Sequence, residues 1–175
     1  MKNLDRGDYI MKNKIFLIGM PGCGKSTIGE IIAKELMLKF IDMDICIEEK
    51  TSKTISELFE QGEDYFRDIE SETCKEIIKY DNVVIATGGG VVKKDINIET
   101  LKNNGLVIFI DRPVEKIISD IDVSRRPLLK NGKERIIGLY KERYDIYKKA
   151  CHKIVVNGST IDEVVGEIKK IIINN

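Results

Sequence analysis

The residues best suited to chemistry stand early in the chain, where Gly19-Met-Pro-Gly-Cys-Gly24-Lys25-Ser26 fits the pattern G-x-x-x-x-G-K-[ST]. A polyphosphate needs many donors converging in a small volume, and glycines let backbone N–H groups approach with no Cβ in the way. In such a loop Gly22, Cys23 and Gly24 supply backbone donors and Lys25 bridges β- and γ-phosphate oxygens; the Ser26 hydroxyl takes one position on Mg²⁺, and Thr27 donates to the α-phosphate. The context agrees: an apolar run from Lys14 to Gly19 precedes the loop, and Ile28, Ile31, Ile32 and Leu36 follow on one helical face. The helix start adds partial positive charge. Cys23 has two readings, a thiol activated by the helix start whose alkylation blocks nucleotide binding, or a small side chain filling the loop.

Four other clusters carry potential chemistry. Phe40-Ile-Asp42-Met-Asp44 closes a second strand and sets two carboxylates at an i, i+2 spacing on its ligand-facing edge. Phe66-Arg67 opens a helix, Thr87-Gly88-Gly89-Gly90 follows another strand, and Arg126-Pro-Leu-Leu is followed by Arg143 on the next helix. Singly each has a plainer reading, since Asp-x-Asp at a strand end is usually a helix cap and an Arg-Arg pair is generally a solvated face. Their joint order behind a phosphate loop is what gives them weight.

The elements that must position these residues alternate. Apolar runs at Val83–Ala86, Leu106–Ile110 and His152–Val156 each feed a loop, the second through Asp111-Arg-Pro. Helical stripes lie between them at Phe66, Ile69, Thr73, Ile77 and at Ile161, Val164, Val165, Ile168. Thr54-Ile-Ser-Glu57 and Thr160-Ile-Asp-Glu163 are capping boxes that mark two helix starts. Such alternation predicts a three-layer α/β domain whose ligands sit at the carboxyl ends of the strands. Residues Asp122–Gly132, with adjacent arginines, a proline and a glycine, break the rhythm and read as a mobile lid.

At 175 residues the chain suits one domain, here 14–175, after a polar extension over 1–13 in which Met11 is an alternative start. The 29 basic and 29 acidic side chains cancel, so anions must be captured locally; neither nucleic acid nor a membrane surface is an expected partner. No apolar run approaches the roughly 20 residues of a membrane helix. Cys23, Cys46, Cys74 and Cys151 form no C-x-x-C pair, which suits a reducing cytoplasm. His152 is the single histidine, outside any triad or metal spacing, and reads as structural; Lys148-Lys149 and Lys169-Lys170 complement helix dipoles.

Taken together, these motifs make the chain resemble the shikimate kinases from about Lys14 to its C-terminus. The resemblance implies a P-loop kinase fold like that of nucleoside monophosphate kinases, with a five-stranded parallel sheet and a lid. It also implies transfer of a phosphoryl group from MgATP to the 3-hydroxyl of shikimate. By the same resemblance Arg67 and Arg143 grip the substrate carboxylate, Asp44 orients the attacking hydroxyl, and Gly88, Gly89 and Gly90 lie against the ring. Asp42 supports Mg²⁺ through water, and Arg126 swings over the transferring phosphoryl group as a catalytic and nucleotide-binding arginine. ATP and shikimate are thus the implied partners, and a monomer is expected. Arginines that stack on adenine in many relatives are missing from Ile118-Ser119-Asp120-Ile121 and Asn157-Gly158-Ser159-Thr160, which leaves the base contacts open.

Rival readings are a gluconate or nucleotide kinase with another acceptor pocket, a GTPase-like switch, and a binding protein that has lost the chemistry. The switch lacks N-K-x-D and D-x-x-G motifs. The intact Lys25, Ser26, Asp44 and Arg126 weigh against lost chemistry.

Overall fold

The structure, a computed structural model, describes residues 14–120 and 132–174. The segment 1–13 and nearly all of the expected lid, Arg126 included, lie outside the described residues.

The apolar run at the N-terminal end forms β1 (Lys14–Ile18), which sits between β3 (Val83–Ala86) and β4 (Leu106–Asp111). With β2 (Lys39–Asp42) and β5 (Lys153–Val156) they make one parallel sheet in the order β2-β3-β1-β4-β5. Ile15, Phe16, Leu17 and Ile18 are buried on both faces because helices cover both sides of a parallel sheet. The edge strand β5 has only Val155 buried, as expected of a strand with one neighbour.

The connecting helices are α1 (Lys25–Glu35), α2 (Met43–Thr51), α3 (Ile55–Glu60), α4 (Glu63–Ile77), α5 (Asp95–Asn104), α6 (Val114–Asp120), α7 (Gly132–Ala150) and α8 (Ile161–Ile173). Both capping boxes are present: Thr54 caps α3 with Glu57 and Thr160 caps α8 with Glu163. His152 accepts a hydrogen bond at Nδ1 from the Val107 backbone N–H, 3.0 Å, and so braces the sheet. No helix among the described residues is long and apolar enough to cross a membrane.

One expectation is corrected. Asp42 and Asp44 do not share a strand edge: Asp42 ends β2 and caps α2, accepting the Asp44 backbone N–H at 3.0 Å, while Asp44 stands in the first helical turn. The carboxylate suits a helix start, so the chain turns helical one residue after the strand ends.

Candidate active site

The glycine loop joins β1 to α1, and its last glycine, Gly24, adopts φ 98°. A Cβ there would be strained and would crowd the Asn157 amide at 3.1 Å. Lys25 is buried and folds back over the loop, donating to the carbonyls of Gly19 at 2.9 Å and Met20 at 3.0 Å. Ser26 donates its hydroxyl hydrogen to Asp42 Oδ2 at 2.6 Å. Asp42 therefore links the start of α1 to the start of α2 through its two oxygens.

Cys23 is a fully buried member of the loop, and its carbonyl accepts from Asn157 Nδ2 at 2.9 Å. Its burial favours the packing reading of this cysteine.

Arg67 projects from α4 and is buried, its guanidinium lying over the stacked rings of Phe59 and Phe66 at 5.5 and 5.0 Å from their centres. Its NH1 donates to Glu70 at 2.6 Å and its other edge faces Glu63 at 3.3 Å. A Cβ on Gly90 would run into this guanidinium, and one on Gly88 would come within 2.8 Å of Asp44 and 2.9 Å of Glu70. Gly89 is held by its carbonyl, which accepts from Arg143 NH1 at 3.1 Å and from the Tyr147 hydroxyl.

Electrostatics concentrate at Glu70. Burial raises its pKa, Arg67 works against that shift, and the neighbouring Asp44 adds to it. Glu70 Oε1 has no hydrogen-bond partner among the described residues. Glu63 titrates below its ordinary value, chiefly through its hydrogen bond from Lys93. Burial raises the Tyr147 pKa, so this phenol remains a donor.

These walls enclose a cleft of about 560 Å³. Gly22, Gly24, Lys25, Ser26 and Thr27 line it from the glycine loop and the start of α1, together with Asp42, Asp44, Arg67, Gly88, Gly89, Gly90 and Arg143. Of the proposed site residues, Cys23 is a buried member of the loop that does not line the cleft, and Arg126 lies outside the described residues. Sequence reasoning missed Glu70, Tyr147 and Asn157. An acid three residues after Arg67 was the available signal for Glu70. Nothing local points to Asn157, which meets the loop from 134 residues away.

The donors also bear on Mg²⁺. Among the described residues no group of three or more His, Cys, Asp or Glu could hold a metal. A hydroxyl beside a carboxylate, as in Ser26 and Asp42, fits an ion that keeps waters and takes its other oxygens from phosphates.

Comparison with known proteins agrees over nearly the whole chain. A family model described as shikimate kinase matches residues 21–173. A shikimate kinase of Clostridium botulinum (strain Alaska E43 / Type E3) is 92% identical, covering 94% of this chain and 100% of that protein. One of Clostridium beijerinckii is 55% identical over 94% of this chain and 98% of its own length. The solved shikimate kinase of Acinetobacter baumannii in complex with shikimate superposes with a TM-score of 0.87 at 33% identity, covering 93% of this chain and 94% of that one.

Proposed function

The chain belongs to the shikimate kinase family, and on that premise we propose that its cleft transfers the γ-phosphoryl group of MgATP to the 3-hydroxyl of shikimate, giving 3-phosphoshikimate and ADP. The observation that carries this reading is the meeting of Lys25, Asp44, Arg67 and Arg143 around one cleft. A small carboxylate with ring hydroxyls needs guanidinium donors at one end and an acceptor at the other, and these residues supply both.

Each residue then has a task. The Lys25 ammonium exchanges the Gly19 and Met20 carbonyls for β- and γ-phosphate oxygens, so its place over the loop is set before the nucleotide arrives. Ser26 and, through water, Asp42 would hold Mg²⁺, which when bound neutralises charge on the phosphates. Arg67 and Arg143 fix the carboxylate, and Gly88–Gly90 give the ring a surface free of side chains. Asp44 orients the 3-hydroxyl and takes its proton as the oxygen–phosphorus bond forms and the bond to ADP breaks. Arg126, assigned from its motif alone, stabilises the charge of the transferring group from a lid over 122–132.

All these groups come from one chain, so a monomer suffices. Free cysteines at 23, 46, 74 and 151 support a cytoplasmic setting. Residues 14–175 act as one catalytic unit, with 1–13 as an extension. An ADP-release assay with shikimate, gluconate and nucleoside monophosphates tests the reading. Release should depend on shikimate; equal release with gluconate, or none with shikimate, overturns it.

A further inference from the structure

The Gly89 carbonyl accepts from two donors, Arg143 NH1 and the Tyr147 hydroxyl, and both stand on α7. A carbonyl oxygen has two lone pairs, so this one is filled. The donors differ in what else they do. Arg143 borders the cleft and, in the reading above, turns its guanidinium to the acceptor carboxylate. Tyr147 is fully buried, does not line the cleft, and gives its one hydroxyl hydrogen to Gly89.

The Tyr147 ring is held by the protein core. It stacks on Phe109 with ring centres 5.1 Å apart and 22° between the planes. Phe109 lies in β4 opposite Ile18 of β1, the residue before Gly19, and a Cβ on Gly19 would touch the Phe109 ring at 3.5 Å. One ring therefore supports Tyr147 and packs against the start of the phosphate loop. Gly89 makes a second link to that loop: a Cβ there would run into the Pro21 ring at 2.7 Å, so the two loops meet with no side chain between them.

We propose that Tyr147 is a positioning residue for phosphoryl transfer, setting through the Gly89 carbonyl how the acceptor loop stands against the phosphate loop. The proposal rests on the phosphoryl-transfer reading above. With the hydroxyl present, the Gly89 peptide keeps its place when a bound acceptor draws on Arg143. Without it, one guanidinium must serve both the carbonyl and the carboxylate, and the distance from attacking oxygen to phosphorus is set loosely. A misplacement of about 1 Å can cost roughly a hundredfold in rate, so the loss should fall on the step after both ligands are bound.

Tyr147→Phe keeps the ring and its stacking and removes only the donor. Initial rates of shikimate-dependent ADP release, set against calorimetric titrations with shikimate and with ADP, test the proposal. Rates are taken per ADP-binding site counted in the titration, so that a misfolded fraction does not enter. The kcat should fall about ten- to a hundredfold, while the Kd of each ligand stays within about threefold. A tyrosine with a structural role alone would lower the urea midpoint and leave kcat per site unchanged. One that acts only by holding Arg143 would weaken shikimate as Arg143→Ala does and spare kcat. Either result overturns the proposal, as does loss of ADP binding. Release of ADP by the unsubstituted chain is measured alongside: its absence overturns the proposed function and this assignment with it, whereas undiminished release by Tyr147→Phe overturns this assignment alone.

Discussion

The phosphate loop and the acceptor pocket share a cleft and are held in opposite ways. The loop is fixed mainly through its backbone: Lys25 and Asn157 donate to the carbonyls of Gly19, Met20 and Cys23, and a carboxylate enters only at its end, where Asp42 accepts from Ser26. The pocket is fixed by charge, with Arg67 set between Glu70 and Glu63, and Glu63 in turn bound to Lys93. Backbone geometry follows from a few adjacent residues. A balance of buried charges depends on several elements at once, so a single change there should spread further.

The difference is broken most severely at the reacting groups. Lys25→Ala should lower kcat by about 10²–10³-fold, and Asp44→Asn by about 10²–10⁴-fold. Steady-state kinetics should show the lysine variant keeping shikimate affinity, since Lys25 belongs to the loop side.

Within the pocket, Arg67→Ala leaves Glu70 as a buried charge without its partner. Urea unfolding should record a loss of about 3 kcal/mol, and the KM for shikimate should rise about a hundredfold. Adding Glu70→Gln should recover more than half of the lost stability but none of the KM. Arg143→Ala should raise KM similarly at a smaller cost in stability, because its partners are the Gly89 carbonyl and the half-exposed Glu142.

Sensitivity to pH should also divide the two halves. Burial raises the Glu70 pKa above the ordinary 4.5. The folded chain therefore holds that proton more tightly than the unfolded chain. The stabilising contribution is complete below 4.5 and is lost as pH rises through the raised value. Glu70→Gln removes this loss, so its urea midpoint relative to the parent should climb as pH passes through that window.

The smallest effects contrast two glycines. Gly90→Ala drives a methyl into the Arg67 guanidinium and should cost about 1–3 kcal/mol, whereas Gly138, inside α7 with nothing within 4 Å of its Cβ position, should gain about 0.4–1 kcal/mol as alanine. Thermal unfolding resolves both.

Legibility in the sequence follows the same division. The strand and helix order and both capping boxes were readable because each depends on residues a few positions apart. The phosphate loop was readable for that reason, down to Ser26. Asp42 and Asp44 were found but set on the wrong element, because i, i+2 spacing fits a strand edge as well as a cap and the first helical turn. Arg67 and Arg143 were identified through family resemblance, whereas Glu70 and Tyr147 were missed. Tyr147 is placed by the Gly89 carbonyl that faces it across the fold, which no local pattern encodes, whereas Glu70 follows Arg67 by three residues on one helix, a spacing whose meaning depends on the burial of both. Asn157 stood in a segment read only for the arginine it lacks.

The central claim is that Arg67 and Arg143 jointly grip a carboxylate beside Asp44. Calorimetric titration with shikimate and with its methyl ester tests it most directly. The account predicts that esterification weakens binding at least about a hundredfold in the parent chain and only slightly in an Arg67→Ala/Arg143→Ala variant. Equal affinity of acid and ester for the parent chain would contradict it.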